Sequence, residues 1–240
     1  MGQNESAQLR ALKNLLGRTL DYALMGPSCS KHLALANLMH QDDVVLSLNY
    51  DLLMDNALFD LGKINDHSYK MNFYSVNVND VWTPPVSAPS EVNLLKLHGS
   101  LNWVRCGLCG SLLLYRYRKQ TLLGDIPFVC PRCSSDETAA ERIMIPPLHS
   151  KDYRDKDLAF LWVQADRMLE DFQKIVCIGY SFSPLDSDMT ALIRRLRSKQ
   201  THVPNVDFVS PDDDAETRLK RLLGIRRTNR FRYLSEYLDQ

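Results

Sequence analysis

Val44-Val45-Leu46-Ser47-Leu48-Asn49-Tyr50-Asp51 is the stretch on which the fold turns. Four large apolar residues and one serine run straight into an amide and a carboxylate, without the alternation of a strand that faces water. That pattern predicts a strand buried on both faces within a parallel sheet. In open α/β sheets ligands bind beyond the carboxyl ends of strands, so Asn49 and Asp51 stand where a site is expected. Asn and Asp are equally residues of turns and helix caps, and that role stays open for both.

The same punctuation recurs along the chain. Residues 92–97 form an apolar run that ends in His98-Gly99-Ser100, and residues 174–179 (KIVCIG) form another that breaks at Gly179-Tyr180-Ser181. A third, residues 206–209, ends in Ser210-Pro211-Asp212-Asp213, where Ser is expected to cap a helix and Pro to occupy its first position. Residues 231–233 are a candidate last strand. Helical periodicity fills the gaps: Leu9, Leu12, Leu16, Leu20 and Ala23 share one face up to Met25-Gly26, and residues 32–39 predict a short second helix. Leu158, Leu161, Trp162, Ala165, Leu169 and Phe172 line a helix that Asp155 or Asp157 caps, and Met189, Leu192, Ile193 and Leu196 line the next. Strand, polar turn and helix in alternation predict an α/β fold with a parallel sheet covered by helices on both faces. Residues 61–91, rich in Asn, Asp, Ser and Pro, read as a long loop, either packed surface or a lid over substrate.

Two Cys-x2-Cys pairs, Cys106 with Cys109 and Cys130 with Cys133, interrupt this order. Their spacing predicts a tetrahedral zinc ribbon over residues 103–143. Four thiolates leave no open position for water, so the metal is expected to be structural. Cys29 and Cys177 stand alone in apolar surroundings and are expected to be inert. The remaining sequence is then one α/β domain built from residues 1–102 and 144–240.

Charge excludes several function classes. Twenty-nine basic residues balance twenty-nine acidic ones, so no bulk attraction to nucleic acid or to an anionic membrane is expected. The basic cluster of Lys220, Arg221, Arg226, Arg227, Arg230 and Arg232 is interleaved with Asp212, Asp213, Asp214 and Glu216 and reads as a mixed-charge face. The first ten residues carry no apolar core of a leader, and no uncharged run is long enough to span a bilayer, which predicts a cytoplasmic protein.

Of the candidate chemical groups, His98 offers a base with a pKa near neutrality, beside a glycine that admits a close approach. Gly179 and Ser181 offer a backbone amide and a hydroxyl to a phosphate or ribose, although neither a Gly-x-Gly-x-x-Gly nor a Walker-type sequence is present.

Taken in order, these motifs resemble the sirtuin (silent information regulator) superfamily from about residue 44 to residue 209. The residues that carry the likeness are Asn49-Tyr50-Asp51, His98-Gly99-Ser100-Leu101-Asn102-Trp103, the four cysteines, Ile145-Pro146-Pro147 and Ile178-Gly179-Tyr180-Ser181-Phe182. The Asn-Tyr-Asp and His-Gly-Ser-Leu-Asn-Trp forms resemble most the bacterial branch associated with NAD-consuming phage defence. What the resemblance implies is an incomplete Rossmann-like parallel sheet with an inserted zinc ribbon, using NAD and structural Zn. Asn49 would position the nicotinamide ribose and a water, Asp51 would bind the carboxamide, and His98 would act as base on a ribose hydroxyl. Gly179 and Ser181 would line the phosphate and adenosine-ribose side. The implied reaction is NAD glycohydrolysis to nicotinamide and ADP-ribose, with NAD-dependent protein-lysine deacylation as the alternative.

The chain departs from the family at one place. No strand with a Gly-Ala-Gly-x-Ser-type turn precedes Asn49, and Gly17 and Gly26 are isolated. The expectation is that the first strand and glycine-rich loop are missing, and that a partner chain or a second copy supplies them. A catalytically inactive, zinc-stabilised assembly module is the reading of a different class.

Overall fold

The computed structural model describes residues 6–23, 27–76, 82–85, 88–115, 129–136, 140–145, 155–170, 172–183 and 186–240. Met25-Gly26 and Pro146-Pro147 lie outside these residues. The chain divides into two compact units, Met1–Trp162 and Val163–Gln240.

The first unit opens with helix α1 (Ala7–Ala23), followed by α2 (Ser30–Asn37) and strand β1 (Val44–Ser47). Helix α3 (Leu53–Asp60) and a single 3-10 turn (Asp66–Tyr69) lead to β2 (Phe73–Val76), β3 (Trp82–Thr83) and β4 (Asn93–Lys96). Three strands then follow, β5 (Gly99–Cys106), β6 (Leu112–Tyr115) and β7 (Ala140–Met144). As the apolar runs predict, β1 and β4 pair in parallel, with Val45 opposite Leu94 and Ser47 opposite Lys96. The other five strands form a second sheet in the order β3-β2-β6-β5-β7, which mixes parallel and antiparallel neighbours.

The stretch expected to be a long loop therefore supplies two strands. β2 runs parallel to β6, Phe73 opposite Leu112 and Val76 opposite Tyr115, and β3 closes the edge beside it. Packing decides this where local composition points to a loop. Phe73 is buried against Trp103 with ring centroids 5.2 Å apart, and Tyr69 sits edge-on to both rings. Aromatic contacts of this kind give a polar stretch enough burial to join a sheet.

Helix α1 touches β7 through a polar contact. Arg142, itself buried, donates from Nε to Asn14 Oδ1 at 3.1 Å and from Nη1 to the Leu101 carbonyl at 3.0 Å. Gly17 makes room for that guanidinium: a Cβ there would stand 2.9 Å from Arg142 Cζ.

Helix α4 (Lys156–Met168) carries the boundary between the units. Asp155 caps it, accepting from the amides of Asp157 and Leu158 at 3.0 and 3.1 Å. The same carboxylate and Asp157 hold Arg105 of β5, at 2.8 and 2.5 Å.

The second unit contains β8 (Lys174–Ile178), α5 (Ser187–Lys199), β9 (Asn205–Val209), α6 (Asp213–Leu223), β10 (Asn229–Phe231) and α7 (Leu234–Leu238). Its three strands form one parallel sheet, β10-β9-β8. Phe208, Val206, Leu219, Leu223 and Phe182 make its core. The helix start predicted after β9 is shifted by two residues. Asp212, not Ser210, is the cap, its carboxylate accepting from Ala215 N–H at 2.9 Å, while Ser210 Oγ accepts from the Asp212 amide. β8 departs further, since it was expected to be buried. Val176 and Ile178 are 37% and 38% exposed, because among the described residues β8 has one neighbour, β9.

Both units are thus α/β, with parallel pairing where the sequence predicts it. Among the described residues no helix is long and apolar enough to cross a membrane.

Candidate active site and candidate metal centre

The parallel register of β1 and β4 carries Asn49 and His98 to equivalent places. Each lies two residues beyond the last ladder pair, Ser47 opposite Lys96, at the carboxyl ends of adjacent strands. The ladder continues once more through Leu97 N–H to the Ser47 carbonyl at 2.9 Å.

Beyond it the two turns are stitched together. Leu101 N–H donates to the Tyr50 carbonyl at 3.0 Å, and the Tyr50 hydroxyl donates to the Ile145 carbonyl. Ile145 N–H in turn donates to the His98 carbonyl at 2.9 Å. Tyr50 therefore links the turn that bears Asn49 and Asp51 to the turn that bears His98, and burial pushes its phenol up to about 12.

The three candidate groups differ in their exposure. Asn49 is exposed, with its amide donating to Ser47 Oγ at 3.2 Å. Asp51 is half-buried and accepts from Leu53 N–H at 3.0 Å, so one of its oxygens serves a turn at the head of α3. His98 is buried, its ring 6.2 Å from that of Trp162.

Gly99 has a different task from the one its position suggested. Its φ is +86°, and a Cβ would stand 2.7 Å from Met144 Cα and closer still to the Ile143 carbonyl. The glycine admits the backbone of β7, which fixes the His98 turn from behind.

A polar cluster beneath these turns has no counterpart among the residues singled out by sequence. Lys96 is fully buried, with Nζ 2.9 Å from Asp55 Oδ2 and donating also to the Asp51 carbonyl. Tyr69 donates to Asp55 Oδ1 at 2.7 Å. Burial, then the charge and hydrogen bond of Asp55, hold the Tyr69 phenol well above its ordinary range. Asn102 continues the polar thread, bonded to Ser100 Oγ at 2.7 Å and to the Tyr115 carbonyl at 3.1 Å. The signal in the sequence was a lysine inside an apolar run, Leu94-Leu95-Lys96-Leu97.

In the second unit, Gly179 has a φ of +64° with open space where a Cβ would be. Its amide donates to the Val209 carbonyl at 3.0 Å, so it extends the β8–β9 ladder and is not aimed at a ligand. Ser181 is exposed, and its carbonyl accepts from Arg218 Nε at 3.0 Å. Of the groups expected to face an anion there, the Ser181 hydroxyl and the open surface over Gly179 remain. The basic cluster behaves as a mixed-charge face where it is paired: Lys220 lies 2.6 Å and Arg230 3.1 Å from Glu216.

The four cysteines converge. Their Sγ atoms all lie within 4.8 Å of one another, with Cys106–Cys133 and Cys109–Cys130 at 3.6 Å. Thiolates about 2.3 Å from a tetrahedral zinc are about 3.8 Å apart, so the donor set fits such an ion. Both knuckles use one design. Gly110 N–H donates to the Cys106 carbonyl and Ser134 N–H to the Cys130 carbonyl, at 2.7 and 2.9 Å. Cys106 and Cys130 N–H groups donate to Ser111 and Ser135 carbonyls, both at 2.9 Å. Gly110 and Ser134 share a positive φ, +74° and +57°. Burial pushes the Cys130 thiol up to about 12, while at Cys109 hydrogen bonding with Ser111 outweighs burial and brings the thiol down to about 6. A divalent cation at their centre lets all four ionise together.

The fold is similar to that of one solved structure in particular, described as "Structural Basis for the Mechanism and Regulation of Sir2 Enzymes". The likeness has a TM-score of 0.50 and covers 95% of this chain and 71% of that one, at 14% sequence identity. At that identity the likeness speaks for the fold. No family model and no curated protein matches the sequence.

Proposed function

We propose that the chain is a sirtuin-like, NAD-dependent enzyme whose reaction is NAD glycohydrolysis, in the setting of phage defence. The observation that carries this reading is the register Ser47 opposite Lys96, which delivers Asn49 and His98 to the carboxyl ends of adjacent parallel strands. The likeness to a Sir2 enzyme fold supports NAD as the substrate.

The reaction breaks the bond between the ribose and the nicotinamide ring and adds water, releasing nicotinamide, ADP-ribose and a proton. Asn49 presents an amide at the mouth of the turn, suited to orienting the ribose and the water. The Asp51 oxygen not used by Leu53 is available to the carboxamide. His98, buried just beyond the end of β4, serves as the base on a ribose hydroxyl. The zinc held by Cys106, Cys109, Cys130 and Cys133 is structural, fastening the β5–β6 turn to the segment around Cys130. The whole then divides as an α/β domain of residues 1–102 and 144–240 with a ribbon of 103–143.

NMR product analysis of the zinc-loaded chain with NAD, with and without an acetylated peptide, tests the reading. Nicotinamide and ADP-ribose without peptide support glycohydrolysis, turnover only with peptide establishes a deacylase, and no turnover by a folded sample refutes both. Among the described residues β8 pairs on one side only, which favours one further role, assembly with a partner chain or a second copy. Sedimentation across a concentration series checks it.

A further inference from the structure

We infer that Lys96 is a positioning residue, the buried tie that holds the turn carrying Asn49 and Asp51 in register with the turn carrying His98. This rests on the proposed site at the ends of β1 and β4.

A fully buried ammonium is costly to desolvate, and a strand that needs only packing places an aliphatic residue there. Here the cost is met by Asp55 on α3, which is itself held by Tyr69. The remaining hydrogen bond of Lys96 goes to the main-chain carbonyl of Asp51. Three elements thus converge on one cation: the end of β4, the first turn of α3 and the segment between β1 and α3. The cation sits two residues before His98 in sequence and touches Asp51 directly. Tyr50 binds the same turn from its other side, through Leu101 and Ile145. An apolar residue at 96 packs the core but leaves the Asp51 carbonyl without this donor, so Lys96 sets the geometry of the turn.

The test exploits the fact that a buried ion pair replaced whole by apolar residues of similar size need not destabilise. The variant is Lys96→Met with Asp55→Leu and Tyr69→Phe, made in the full chain with zinc present. Melting is measured first, then kcat and KM for NAD, then amide hydrogen exchange at Leu53 and Leu101. The expected result is a fold that melts as the wild type does, with kcat at least about tenfold lower and KM little changed. Exchange at Leu53 and Leu101 is expected to quicken by about tenfold or more. Wild-type kcat and wild-type exchange in a stable variant overturn the inference. If the wild-type chain turns over no NAD, the glycohydrolase reading falls, and amide exchange alone decides the positioning role. If the triple variant melts early, Lys96→Met paired with Asp55→Asn is compared in the same exchange measurement at matched stability. Unchanged protection at Leu53 and Leu101 there also overturns it.

Discussion

Gly99 and the Ile143 carbonyl approach so closely that no side chain fits between them, and the turn bearing His98 is pressed against β7 as a result. Gly99→Ala adds a Cβ both to a crowded place and to a backbone with φ of +86°. A loss of about 3 kcal/mol or more is expected, measured by urea unfolding. A change of only a few tenths would show that β7 does not hold this turn.

Metal removal should act on the fold. Structural zinc binding is folding free energy, so chelation is expected to lower the melting temperature by well over about 10 °C. Elemental analysis should find one zinc per chain, and Cys130→Ser should lose it. An unchanged melting curve after verified removal would refute a structural ion.

Ser134 occupies the place of Gly110 in the second knuckle at the same sign of φ. Ser134→Gly relieves a left-handed residue and is expected to stabilise the zinc-loaded chain by about 0.5–1 kcal/mol. Equal or lower stability by thermal denaturation would mean that the Ser134 side chain contributes more than its strain costs.

His98→Ala is expected to abolish NAD cleavage while the circular dichroism stays that of the wild type, with a melting temperature lowered by the loss of a buried side chain. A loss of at least about a hundredfold in kcat is the size general base catalysis contributes. Full activity in that variant removes His98 from the chemistry.

Alkaline pH should weaken the fold. Burial raises the phenols of Tyr50 and Tyr180 to about 12 and that of Tyr69 well above 10, whereas unfolded tyrosines ionise near 10.0. The unfolded chain therefore loses protons first, so this stability is intact below pH 10 and drains as pH rises from about 10 through about 12. Urea midpoints should fall across that range. A flat profile would show that these phenols are not buried in solution.

The parallel pairing was legible from the largely apolar runs, although only β4 is buried throughout: β1, expected to be buried on both faces, is half-buried along its length. The runs at Val44 and Leu94 pair as their pattern implies, and the cysteine spacing anticipates four converging thiols. Strands β2 and β3 were hidden, since Tyr69, Phe73 and Trp103 assemble only in three dimensions. The cap at Asp212 was missed because Ser210-Pro211 offers an equally good local start. At the candidate site, the strand-end polar residues were visible while the tie beneath them was not. Lys96 finds Asp55 through the β1–β4 pairing, forty-one residues apart in sequence. Gly179 looked like an anion cradle, yet its amide is spent on Val209.

Among the described residues strand β8 is paired on one side only, and an unfinished ladder makes demands of its flanks. Edge strands commonly carry a lysine that repels unwanted pairing. Lys174 stands at the head of β8, but its ammonium lies 2.7 Å from Asp207 and is neutralised there. Val176 and Ile178 are left unguarded, so the protein is expected to grow adhesive as its concentration rises. Association at high concentration would thereby trace to one five-residue strand, Lys174–Ile178.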